Sequence, residues 1–250
     1  MAGHSKFKNI MHRKGAQDAK KSKNFGKLIR EIMVAVKSGN ADIAFNPRLR
    51  TAIAAAKAVN LPKDRIDNAI NKASSSHDDQ NFEEIKYEAY APGGVALIIE
   101  ALTDNRNRTA SDVKSTITKN GGAIAEPGSV IYMFDRTGLI EFHNSKITDE
   151  VMLEAAIEAG ANECISEEGN HEIYCDPDAL HQVNDFLSKK FGDSSSATMH
   201  WKPKNIVELT DIEKTEKLLK LIEALEEFDD VQSVCGNYQV SDSIVDKIKI

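Results

Sequence analysis

The 250-residue chain lacks the features that announce metal, disulfide or membrane chemistry. Its three cysteines, Cys164, Cys175 and Cys235, have neither metal-ligand nor disulfide spacing. An odd, sparse set of this kind fits a reducing compartment. There is no H-x-x-x-H, C-x-x-C or H-E-x-x-H element, so no zinc site is expected. No apolar run approaches the roughly 18 residues of a membrane span, the best being Val95 to Ile99. Lys6, Lys8, Arg13 and Lys14 open the chain with no apolar h-region behind them, unlike a secretory signal. The expectation is a cytoplasmic protein with no membrane partner.

Catalytic signatures are equally sparse. Pro92-Gly93-Gly94 and Asn120-Gly121-Gly122 have neither Walker spacing nor a G-x-G-x-x-G run after a strand, and read as turns. His143, His171, His181 and His200 are isolated in the sequence. The pairs Glu83/Glu84, Glu167/Glu168 and Glu226/Glu227 lie in acidic stretches and read as solvated. Nothing points to a Ser–His–Asp constellation, whose members need not be adjacent. The chain is expected to be no enzyme, with no catalytic residue, cofactor, metal or small-molecule substrate.

What the sequence does contain is a division of charge. Hydrophobic residues (41%) and charged residues (28%) are those of an ordinary globular protein, and the net charge is −7. Residues 1–75 hold 16 Lys/Arg against 5 Asp/Glu, a net of +11; residues 76–250 hold 16 against 34, a net of −18. Such asymmetry points to a polyanion partner for the basic part. The basic residues singled out are Lys6, Lys8, His12, Arg13, Lys14, Lys20, Lys21, Lys23, Lys27 and Arg30, with Phe7 among them. The other reading is a solvated helix face that pairs with the acidic remainder. Phe7 could stack on an exposed base or pin the arm to a helical core.

Periodicity organises the rest. Phe25, Leu28, Ile29, Ile32, Met33 and Val36 recur at helical spacing up to Gly39. A second helix starts at Asn46–Pro47, as cap and first helical residue, and a third follows Leu61–Pro62. No convincing helix-turn-helix is legible. Ser74 to Asp79 reads as a linker. Beyond it, strands are expected over 84–91 and 95–102, then a helix over 109–119. Strands at 130–134 and 139–142 should flank a turn at Arg136-Thr137-Gly138. A helix capped by Thr148, strands at 163–166 and 172–175, a helix after Asp176–Pro177 and a strand at 197–202 follow. Thr210 to Glu213 has capping-box spacing for the last helix, and 231–240 reads as one closing strand. The pattern gives an α+β fold with two small units, each like a split βαβ with an antiparallel sheet and helices on one face.

Thr103-Asp104-Asn105-Arg106-Asn107-Arg108-Thr109 stands apart. It lies where a strand ends and a helix begins, a place suited to phosphate or carboxylate oxygens. Asp104, Asn105, Arg106 and Arg108 are therefore a candidate secondary polar site. The alternative is that Asp104 and Asn105 cap the helix while the arginines pair with neighbouring acids.

The opening run Met1 to Lys20 resembles that of the YebC/PmpR family, as do Lys27 to Ile32, Tyr87 to Ala96, Thr103 to Thr109, Gly121-Gly122 and Gly128-Ser129-Val130. Phe7 stands where the family usually has Trp, and Ala89 and Ala91 where glycines are common. The resemblance implies three domains: a basic, all-helical domain at 1–77, a central α+β domain at 78–134 plus 204–250, and an acidic α+β domain at 135–203 inserted into it. It also implies a ferredoxin-like character for both α+β domains and a non-enzymatic role. Family members are regarded as transcriptional regulators that bind promoter DNA, while others, including mitochondrial relatives, resemble translation factors that bind the ribosome or its RNA. The expected function is thus a nucleic-acid-binding regulator of gene expression acting on DNA. The alternatives are a ribosome- or structured-RNA-binding translation factor and a protein-binding adaptor.

Overall fold

A computed structural model describes residues 17–75, 82–143, 146–167, 169–245 and 248, with side chains from Asn24 onward except at 242 and 245. The fold is mixed, with helices and largely antiparallel sheets. Two compact units result, one from residues 1–27, 79–135 and 202–250, the other from 28–78 and 136–201. The chain passes from the first to the second at 135/136 and returns at 201/202.

In the first unit, β1 (Glu83–Ala91) and β2 (Val95–Thr103) form an antiparallel hairpin in which Ala91 faces Val95. Pro92-Gly93-Gly94 makes the turn, and both glycines need positive φ (86° and 78°), which explains their place there. Helix α4 (Arg106–Lys119) follows, and the two-residue β3 (Ala123–Ile124) pairs with β1. Since β1 is antiparallel to both β2 and β3, β2–α4–β3 is a split βαβ. After the excursion into the second unit come β8 (Val207–Leu209), α7 (Ile212–Glu226), β9 (Val231–Gly236) and β10 (Tyr238–Val240). The short α8 (Asp242–Val245) follows. The sheet order is β3-β1-β2-β9. The central strand β2 is buried on both faces, as its unbroken apolar run requires. Val95, Leu97 and Ile99 pack with Val113 and Ile117 of α4 and Leu218, Leu219 and Ile222 of α7.

The second unit holds most of the N-terminal helices. Helix α1 (Gln17–Ser38) belongs to it from Leu28 on, with α2 (Pro47–Ala58) and α3 (Lys63–Ser74). Asn46 fixes the α1–α2 corner. Its amide donates to the Ala35 and Asn40 carbonyl oxygens, both at 2.7 Å, and its Oδ1 accepts from Leu49 N at 3.0 Å. One side chain therefore closes the end of α1 and caps α2. Gly39 follows the last residue of α1, and a Cβ there would lie 2.8 Å from Asn46 Nδ2. The same unit contains β4 (Phe134–His143) from Arg136 on, α5 (Asp149–Glu158), β5 (Glu163–Glu167), β6 (Asn170–Cys175), α6 (Leu180–Phe191) and β7 (Ser196–Pro203) up to Trp201. The sheet order β5-β6-β4-β7, with β6 antiparallel to both β4 and β5, makes β4–α5–β5 another split βαβ. Ile140, Phe142 and Ile173 meet Met152, Ala155, Val183 and Leu187 in its core. His181 Nε2 lies 2.6 Å from the Pro47 carbonyl oxygen, which can only accept, so this nitrogen bears the hydrogen that ties α6 to α2.

Four sequence expectations are corrected. There is no turn at Arg136-Thr137-Gly138, because β4 runs unbroken through it. Gly138 serves close approach instead: a Cβ there would sit 2.8 Å from Cys175 Sγ and 3.0 Å from Leu180. Residues 131–133 form a 3₁₀ turn rather than a strand, because Glu88 takes up the Val130 and Ile131 N–H groups that a strand would pair. The closing strand is two strands, since after Gly236 the chain leaves β2 and β10 pairs in parallel with β8, which also breaks the all-antiparallel expectation. The Asn237 side chain, accepting from Ala96 N at 2.7 Å, holds that break. Finally, Asp211 rather than Thr210 caps α7, accepting from Lys214 N.

Candidate nucleic-acid interface

Of the basic residues singled out above, Lys6, Lys8, His12, Arg13 and Lys14, together with Phe7, lie outside the described residues. Lys20, Lys21 and Lys23 fall on α1, with their side chains outside the description. Lys27 is half-buried, and its ammonium donates to the Glu226 carbonyl oxygen at 2.9 Å. Glu226 is the last residue of α7, so the cation meets the negative end of that helix. Arg30 is half-buried on α1.

The helices that follow carry further exposed cations. Lys63, Arg65 and Lys72 are exposed on α3 with Asn68 and Asn71, among Asp64 and Asp67. A four-residue connection, Val59 to Pro62, joins α2 to α3, and Asn60 adopts φ 59° within it. Two short helices at this separation have the connection length of a helix-turn-helix, which the sequence pattern alone did not reveal. Other arginines are committed to structure. Arg48 grips Glu31 with two bonds of 2.7 and 3.0 Å, and Arg50 Nη1 donates to the Ile43 and Ala44 carbonyl oxygens at 2.9 and 2.8 Å.

The Thr103–Thr109 segment is built around a residue the sequence reading did not single out, Asp230. Its Oδ2 accepts from Thr109 Oγ1 at 2.6 Å, Arg108 Nη2 at 3.0 Å and Thr103 Oγ1 at 3.2 Å. Asn105 caps α4 by accepting from Arg108 N, and Asp104 pairs with Arg108 at 2.9 Å. Arg106 is exposed and has no ion-pair partner among the described residues. Near it, the Tyr87 hydroxyl is buried without a hydrogen-bond partner. Burial pushes its ionisation up, Arg106 pulls it down and Asp230 pushes it up, and burial prevails. Asp104, Asn105 and Arg108 are thus used in bracing the end of β2 against the start of α4, which leaves Arg106 as the charge that faces outward.

Glu88 is a second buried acid. Its carboxylate accepts from Gly128 N and Val130 N, both at 2.6 Å, and from Ile131 N at 2.9 Å. Burial raises its pKa, but the three backbone donors outweigh burial and hold it below the ordinary carboxylate value. Among the described residues, no group of three or more His, Cys, Asp or Glu side chains is placed to hold a metal ion. No described helix is long and apolar enough to cross a membrane.

Comparison with known proteins covers almost the whole chain. A family model described as the TACO1/YebC protein N-terminal domain matches residues 5–76, and one described as the TACO1/YebC second and third domain matches residues 82–238. The chain belongs to the TACO1/YebC family. A relative from Rickettsia bellii, named a probable transcriptional regulatory protein, is 54% identical over 244 residues, covering 98% of this chain and 95% of its own. The crystal structure of a conserved hypothetical protein from Aquifex aeolicus superposes with a TM-score of 0.84 at 45% identity, over 90% of this chain and 93% of that one. Together the two family matches take in residues 5–76 and 82–238.

Proposed function

We propose that this protein is a non-enzymatic, cytoplasmic regulator of gene expression that binds nucleic acid through its basic N-terminal region, with DNA as its target. The carrying observation is the separation of a +11 segment at residues 1–75 from a −18 remainder. Membership of a family with a relative named as a transcriptional regulator supports the same reading. Lys6, Lys8, His12, Arg13, Lys14, Lys20, Lys21, Lys23, Lys27 and Arg30 anchor the backbone by releasing counterions from phosphates. The acidic remainder keeps the rest of the surface off the polyanion and so orients the molecule. The exposed face of α3, after its four-residue turn, offers Lys63, Arg65, Asn68 and Asn71 to a duplex. Arg106 is a secondary contact. Residues 1–77, 78–134 with 204–250, and 135–203 act as three functional domains.

Binding should weaken steeply with salt. Neutralising about five phosphates gives a logarithmic slope of roughly −4.5 on duplex DNA, or about −3.5 on a single strand. Removing residues 1–24 should abolish most of that binding, and full retention would sink the arm as the anchor. A flat salt dependence would instead favour a protein-binding adaptor. The second reading, a translation factor that binds ribosomal or other structured RNA, is favoured by an exposed aromatic at Phe45, since unpaired bases are what RNA loops offer. Crosslinking in cells, with sequencing of bound DNA and bound RNA, decides between promoters and ribosomal RNA.

A further inference from the structure

The loop between α1 and α2 presents an aromatic ring to solvent and holds it there. Phe45 is 76% exposed and Ile43 is 44% exposed. This exposure is built into the loop. Asp42 N donates to Asn40 Oδ1 at 2.9 Å, Ala44 N to Asp42 Oδ1 at 2.8 Å, and Phe45 N to the Asp42 carbonyl at 3.1 Å. The buried Asn46 clamps the loop from beneath through Ala35, Asn40 and Leu49. Arg50 closes it from the side, and Nη1 is 2.8 Å from the Ala44 carbonyl oxygen, which belongs to the peptide leading into Phe45. No carboxylate pairs with Arg50 among the described residues, and its Nε and Nη2 are uncommitted there. The loop's own carboxylate, Asp42, is held by the Ala44 N–H.

We propose that this loop is a base-stacking site. Phe45 takes the face of one unpaired base, and Arg50 places a fixed positive charge for the adjoining phosphate. Every base has a π-face, so the contact is tolerant of sequence, and it requires a base that is not already stacked in a duplex. Two side chains expose far less apolar surface than a protein docking patch usually does. The net positive charge of residues 1–75 selects a polyanion over an acid-poor protein surface. The proposal rests on the nucleic-acid reading above and adds to it where the ligand is unpaired. An RNA loop and a melted DNA strand would supply the same chemistry.

The test uses the full chain, with Phe45→Ala and Phe45→Trp, against labelled single strands of about 12 nucleotides as RNA and as DNA, and against the matching duplexes. Because the ring is exposed, both variants should melt like the parent by circular dichroism. Phe45→Ala should lose about 5- to 150-fold affinity for single strands and almost none for duplexes. Phe45→Trp should keep single-strand affinity, and its new indole should be quenched on binding, against the buried Trp201 background. Loss confined to the RNA strand assigns the site to RNA, loss confined to the DNA strand assigns it to melted DNA, and either supports the site. Unchanged single-strand affinity in Phe45→Ala with an unquenched Phe45→Trp overturns the stacking site while leaving the nucleic-acid reading intact. Equal loss on strands and duplexes also overturns it. Failure of the parent chain to bind any of the probes overturns both.

Discussion

The Asp230 carboxylate stands 2.6 Å from the hydroxyl of Thr109, a residue 121 positions earlier in the chain. Two hydroxyls and a guanidinium converge on that one oxygen, and Asp230 and Thr109 are both buried. Removing the acid takes the charged acceptor from both buried hydroxyls and leaves them only each other and Asn105, whereas removing the arginine leaves the carboxylate its two hydroxyl donors. Asp230→Ala should therefore cost about 2–4 kcal/mol of stability in urea unfolding. Arg108→Ala, at a side chain that is 51% exposed, should cost clearly less than Asp230→Ala. Equal effects would show that the ion pair, rather than the buried hydroxyls, is what the acid serves.

Glu88 should give the stability curve an acid limb. Its carboxyl titrates below the ordinary value of 4.5, because three backbone N–H groups outweigh its burial. A lowered folded pKa contributes stability that is complete above about 4.5 and is lost as pH falls through the folded value. Glu88→Gln should be less stable than the parent by about 1–3 kcal/mol near neutrality. That difference should shrink as the pH is lowered below 4.5. Chemical unfolding at a series of pH values measures it, and a gap that stays constant with pH contradicts the account.

Gly138 lies mid-strand for lack of space rather than for backbone freedom. Gly138→Ala would set a methyl against Cys175 Sγ and Leu180, and should lower stability by about 1–3 kcal/mol. Gly94→Ala meets no neighbouring atom, but its φ of 78° opposes any side chain, so it should destabilise through the backbone. Cys175→Ala, which removes the nearest atom, should partly rescue the first variant and leave the second unmoved in thermal melts. Rescue of both, or of neither, would contradict the distinction.

Asn46→Ala removes an N-cap and two buried donors in one step. A loss of about 2 kcal/mol or more is expected, above the usual cost of roughly 1 for a cap alone. Hydrogen exchange should also quicken at Leu49 N and through residues 40–45, the loop that holds Phe45 out. Faster exchange at Leu49 with an unchanged loop would mean that Arg50 and Asp42 suffice to shape it.

Much of the fold was legible because local chemistry enforces it. The Asn46–Pro47 start, the Thr148 cap, the glycine turn after Ala91 and the apolar run of β2 each depend on residues within a few positions. The charge division and the family motifs are properties of the sequence itself, and they carry the nucleic-acid reading. The errors fall where distant residues decide. Gly138 reads as a turn until Leu180 is seen against it, and residues 231–240 read as one strand until Asn237 and β8 draw the second half away.

The sequence by itself determined most of the elements, the basic N-terminal region and the family, because period, caps and charge are written in neighbouring residues. Only the tertiary structure decided what the polar residues are for. Asp104, Asn105 and Arg108 are drawn into a brace by Asp230, a carboxylate more than a hundred positions away whose burial demands partners. Phe45 stands outside the core on a loop that Asn46 and Arg50 hydrogen-bond in place.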